Sequence, residues 1–158
     1  MKARIINLPI IDHDKEEVFR HIFVNTYLKH SITFEKYAIK FFPEDFKHLC
    51  YEYGKGGKYK EQFSLRRARR LLFIKEICEG NIPYILIHQI QRRNKSVCVL
   101  CESIDFALFL IPKTSSQGNY FRIGTIIAYG QKVESKIAKQ KANGKPIKRL
   151  EEVFGEGC

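Results

Sequence analysis

The chain has 158 residues, 44% hydrophobic and 28% charged, with 28 Lys and Arg against 17 Asp and Glu and a net charge of +11. That is long enough to bury a core without disulfides, and the five cysteines, odd in number and without framework spacing, point to reduced thiols. No signal-peptide pattern opens the chain and no apolar run reaches membrane length, so one soluble cytoplasmic domain over residues 1–158, with no membrane contact, is expected.

In chain order, Lys15 to Lys29 reads as a helix, with Asp14 as cap, Glu16 and Glu17 in the first turn and an apolar stripe of Val18 and Ile22 with Phe19 and Phe23. "KYAIKFF" alternates as a strand with Tyr37, Ile39 and Phe41 on one face. "PEDFKHLCYEYG" follows as a short helix, with Pro43 near its first position and Gly54 as its stop. "KGGKYKEQF" reads as a mobile basic loop, and "SLRRARRLLFIKEICEG" as one helix from the cap Ser64 to Gly80. Beyond Pro83, "YILIHQI", "SVCVLCE", "FALFLIP" and "NYFRIGTIIAYG" are strand-like runs with short connections, which predicts an antiparallel meander of about four strands. Residues 131–158 read as a basic helical tail broken at "NGKP". Helices before a sheet predict an α+β fold with the helices on one sheet face.

The charge is clustered. Eight Lys or Arg stand against Glu61 between Lys55 and Lys75, and seven against Glu134 between Lys132 and Arg149. Two such patches attract polyanions, nucleic acid first among them, although solvated basic faces would look the same. Arg66, Arg67, Arg69 and Arg70 crowd the positive end of their helix, an arrangement suited to phosphate oxygens; ion pairing with Glu44, Asp45 or Glu61 is the ordinary alternative. Lys58, Lys60, Lys132 and Lys136 extend the basic surface, and Tyr51, Tyr53, Tyr59 and Phe63 stand ready to stack on bases.

His48 lies opposite the apolar face of Phe46, Leu49, Cys50 and Tyr53; a histidine is the side chain suited to moving protons at a phosphodiester, and an exposed histidine paired with Glu44 one turn earlier is the ordinary alternative. In "FRIGTIIAYG", alternation places Phe121, Ile123, Thr125, Ile127 and Tyr129 on one face, with Gly124 open to close approach. A satisfied core hydroxyl is the ordinary explanation of Thr125; a phosphate donor is the functional one. Other chemistries find no support. Cys98 and Cys101 fall on opposite faces of a strand, no phosphate-loop spacing occurs, and no carboxylate pair fits a two-metal nuclease. No metal and no cofactor are expected.

The segments "YAIKFFPEDFKHL", "FSLRRARRLLFIKEI" and "YFRIGTIIAYG" resemble, in kind and order, the phage- and prophage-associated barnase/EndoU/colicin/RelE-like nucleases, from about Tyr37 to Gly130. The resemblance implies helices followed by a four-stranded antiparallel sheet, with residues 37–130 as a nuclease core. It implies a site that joins His48, Arg67 or Arg70, and Thr125 with Tyr129. The "KGGKYK" insertion and the basic tail depart from that pattern. The function then expected is a metal-independent endoribonuclease, toxin-like or associated with a mobile element, inside a bacterial or phage-infected cell. Its 2′-OH chemistry would take RNA in preference to DNA, and an acidic inhibitor or antitoxin protein would be its partner. A non-catalytic RNA- or DNA-binding protein is the alternative.

Overall fold

The computed structural model describes residues 8–53, 60–91, 94–130 and 132–154. The expected meander is present: β5 (Ile85–Gln91), β6 (Asn94–Cys101), β7 (Phe106–Ser115) and β8 (Gly118–Ala128) pair antiparallel in sequence order. It forms the middle of a larger sheet. On the β8 side it continues through β2 (Tyr37–Lys40) to β1 (Ile32–Phe34), and on the β5 side it ends with β9 (Lys145–Ile147). The β2–β8 pairing is parallel, so the sheet is a mixed one of seven strands, where about four antiparallel strands were expected. Three-residue strands carry too little periodicity to be read locally, and their pairing depends on segments distant in the chain.

Each strand of the meander divides its side chains between two faces. Val97, Val99 and Cys101 of β6 and Phe106, Leu108 and Leu110 of β7 enter one large core, whereas Cys98, Leu100 and Ala107 enter a second, smaller cluster. The large core is covered by α1 (Glu16–Phe23), α2 (Asp45–Cys50), α3 (Leu65–Ala68) and α4 (Phe73–Cys78). The small cluster is covered by α5 (Val133–Ala142), which buries Ile137. The predicted one-sided helical layer is therefore corrected: the tail supplies a helix to the other face and an edge strand, and it then returns Leu150 and Val153 to the large core. Phe154 lies tilted against Tyr37 and Phe121, with ring centroids 5.0 Å from each. Residues 133–154 are a strap, because a sheet with two apolar faces must have both covered.

Three helix predictions also shift. The first helix starts at Glu16 with no side-chain cap from Asp14, and it buries Phe19, Phe23 and Tyr27 while Val18 and Ile22 are only half-buried. From Val24 to Leu28 it widens into a π turn, closed by the Lys29 N–H on the Val24 carbonyl at 3.0 Å. The second ends at Cys50, because Tyr51–Tyr53 forms β3 and pairs with β4 (Lys60–Phe63). The "KGGKYKEQF" segment thus ends in a strand, while residues 54–59, with Lys58 and Tyr59, lie outside the described residues. The arginine helix breaks into α3 and α4, joined by turns whose N–H groups reach back only three residues, as from Leu71 to Ala68. The freed Leu71 carbonyl accepts from the Tyr27 phenol at 2.6 Å, and that phenol accepts the Lys75 N–H at 3.2 Å. Ser64 does cap α3, and Gly80 ends α4 at φ +80°. Among the described residues no helix is long and apolar enough to cross a membrane.

Candidate functional site

The alternation expected for β8 fails at Gly124. Leu110 pairs with Ile123 and Phe109 with Thr125, so Gly124 is an extra residue, a β-bulge. Phe121 and Ile123 before it and Ile126 and Ala128 after it all enter the large core, while Ile127 and Tyr129 pack in the cluster on the opposite face. The predicted common face for Phe121, Ile123, Thr125, Ile127 and Tyr129 is therefore corrected. A Cβ on Gly124 would sit 3.1 Å from the Phe109 carbonyl oxygen, so the close approach that glycine permits is made by the neighbouring strand.

Beyond Arg122, β8 is no longer paired by β2 and meets α2 and α3. There the Thr125 hydroxyl donates to the His48 carbonyl at 3.0 Å and accepts from the Arg67 guanidinium at 2.6 Å. Arg67 also donates to the carbonyls of His48 at 2.9 Å and Leu49 at 3.0 Å. These are carbonyls that the last turn of α2 cannot satisfy internally, so Arg67 and Thr125 together cap α2. Burial lowers the Arg67 pKa from its ordinary value, the mark of a cation drawn out of water. His48, at the exposed end of α2, shares a concavity of about 380 Å³ with Tyr53, Arg67 and the Gly124–Ile127 stretch of β8.

The other end of α2 is held by a pair that sequence reasoning assigned elsewhere. Asp45 is fully buried, accepts the Phe42 N–H at 2.8 Å and lies 3.4 Å from Arg122 of β8, whose guanidinium stacks 4.1 Å from the centre of the Phe42 ring. Burial raises the Asp45 pKa, and the Phe42 N–H and Arg122 pull it back in part. Glu44 reaches the same Arg122 at 3.9 Å. Two of the three acids proposed as counter-ions for the arginine cluster are thus engaged with Arg122, and the Glu61 side chain is not among those described. Arg122 lies on β8 among apolar neighbours, and the i to i+2 spacing to Gly124 gives no local signal of its partner.

Among the described residues none of Arg66, Arg67, Arg69 and Arg70 makes an ion pair with a carboxylate. Arg70 donates to the Arg66 carbonyl at 2.6 Å and Arg69 to the His13 carbonyl at 3.1 Å. The Arg66 guanidinium lies against Gly130, where no Cβ intervenes. Burial first, and then repulsion from Arg66 and Arg69, lowers the Arg70 pKa.

The structure therefore brings together His48, Arg67 and Thr125, and adds Tyr53. Arg70 does not line that concavity. Tyr129 does not either: it packs in the small cluster, where its buried hydroxyl has no hydrogen-bond partner among the described residues and burial pushes its pKa up to about 12. Lys132 stands at the start of α5, and Lys136, Lys139 and Lys141 lead away with that helix, Lys141 pairing with Glu102 at 2.6 Å. Lys60 contributes its backbone to β4. Of the expected stacking residues, Tyr51 donates to Glu16 and Phe63 packs against Phe19, leaving Tyr53, 58% exposed, at the concavity. No group of His, Cys, Asp and Glu suited to a metal occurs among the described residues. No family model, curated protein or solved structure matches the chain.

Proposed function

We propose that the protein is a metal-independent endoribonuclease of the barnase/RelE-like kind. The observation that supports this reading is the convergence of His48, Arg67, Thr125 and Tyr53, from four separate elements, on one concavity beside arginines that make no carboxylate pair among the described residues. In this reading His48 takes the proton of a ribose 2′-OH, which attacks the adjacent phosphorus. The 5′-oxygen leaves and takes a proton from Tyr53, so the products are a cyclic phosphate and a free 5′-OH. Arg67 stabilises the phosphorane charge directly, and the neighbouring arginines add only their positive field. Tyr53 replaces Tyr129 in this scheme. Structured RNA incubated with EDTA should be cleaved, and His48→Ala should slow cleavage by about 100-fold or more while RNA binding persists. Cleavage that requires added metal, or that survives His48→Ala, defeats the proposal.

One observation favours a second reading, a non-catalytic RNA- or DNA-binding protein of a mobile element. Arg67 and Thr125 direct hydrogen bonds at the carbonyls of α2, so both have a structural duty that needs no substrate. Salt-sensitive RNA binding with no cleavage by the parent chain would establish that reading instead. An acidic inhibitor facing the arginines remains the partner proposed under the first reading.

A further inference from the structure

A second concavity, of about 490 Å³, exceeds the one beside His48 and shares no lining residue with it. Asn25 of the π turn, His30, Ser31 and Thr33 at edge strand β1, and Lys75 and Glu79 at α4 supply its polar groups. The local fold explains why it exists. The π turn rotates Tyr27 inward, where its phenol bridges the Leu71 carbonyl and the Lys75 N–H, and this leaves Asn25 and Thr26 to face the space between the turn and α4. Such π turns recur at functional sites.

The charges in it are opposite and unjoined. Lys75 and Glu79 stand one helical turn apart, yet neither they nor His30 form an ion pair among the described residues. Lysine placed N-terminal to glutamate is the weaker of the two orientations for such a pair. Both charges are therefore available to one ligand. Cys78, in the same wall, is pushed up to about 12 by burial, which disfavours its thiolate.

We propose that this concavity binds a ribonucleotide, with Lys75 and His30 on the phosphate, Glu79 accepting from the ribose hydroxyls, and the half-buried Ile32 beneath the base. The volume lies within the range of small-molecule sites and would be poorly filled by a bare anion. The inference is independent of the ribonuclease reading. The test is titration of uridine 5′-monophosphate into the isotope-labelled full chain, with amide shifts followed residue by residue. Shifts at Thr26, Thr33 and Cys78 are expected, and they should persist in His48→Ala. Lys75→Gln should weaken binding about tenfold, the loss of one charge-assisted hydrogen bond. The 2′-deoxy nucleotide should bind more weakly, and Glu79→Ala, which removes the acceptor, should abolish that difference. A 5′-phosphorylated RNA oligonucleotide that moves the same amides identifies an RNA end as the source; response to the mononucleotide alone identifies a free nucleotide. Shifts confined to the His48 concavity, affinity equal to that of inorganic phosphate, or a Lys75→Gln variant that binds like the parent would each overturn the proposal.

Discussion

Thr125 and Tyr129 leave the same strand end and carry the same functional group, yet their environments are opposite. The Thr125 hydroxyl both accepts and donates, and it ties β8 to the end of α2 that carries His48. Tyr129 packs against the cluster of Ile87, Cys98 and Leu100 that α5 covers, and its buried hydroxyl has no hydrogen-bond partner among the described residues. The edge of β8 that β2 leaves open at Thr125 is a polar joint built from three segments; four residues on, under α5, lies an apolar seam that accepts a phenol for its ring. Position on a strand therefore does not decide what a hydroxyl does. What packs over it does.

The largest effect expected from this contrast belongs to Arg67. Arg67→Ala removes the donor to two carbonyls and to Thr125, and should lower stability by about 2 to 3 kcal/mol in urea unfolding. A loss below about 0.5 kcal/mol would mean that water caps α2 equally well and would return Arg67 to a purely functional role. Thr125→Val keeps the shape and removes the hydroxyl, so about 1 to 1.5 kcal/mol should be lost, with His48 amide exchange quickened. If stability holds and only RNA cleavage falls, the hydroxyl serves substrate rather than the joint.

The opposite end of α2 sharpens the comparison through pH. The folded-state pKa of Asp45 is raised above its ordinary 3.8 by burial, so the folded chain holds that proton more tightly than the unfolded one. Its favourable contribution is full below the unfolded value and is lost as pH rises through the folded value. Asp45→Asn should therefore gain stability relative to the parent as pH rises from about 3 to 7, measured by unfolding at each pH. A difference that falls with pH would show the Arg122 pair outweighing desolvation. The smallest effect belongs to Tyr129→Phe: no loss of cleavage, and stability unchanged or raised by up to about 1 kcal/mol, since only an unsatisfied buried hydroxyl is removed. A substantial loss of cleavage would restore Tyr129 to the site and contradict the contrast between the two hydroxyls.

Local chemistry was legible in the sequence wherever it acts over a turn or two. The meander, the Ser64 cap, the stop at Gly80 and the exposure of His48 beside a buried Phe46, Leu49 and Cys50 all follow from side-chain period and backbone preference, whereas Tyr53, expected on the same buried face, lies exposed on β3. The clustering of the arginines was equally plain, because charge counts need no fold. Tertiary structure alone decided the parallel β2–β8 pairing, the strap formed by the tail, and the bulge at Gly124 that separates Thr125 from the face of Phe121 and Ile123. It also decided that Glu44 and Asp45 turn to Arg122 and not to the arginine cluster. Each of these is a choice between partners far apart in the chain, whose energies differ only once burial and strand register are set. A period-two pattern cannot signal where one extra residue will shift it, and a carboxylate in the sequence does not name its cation.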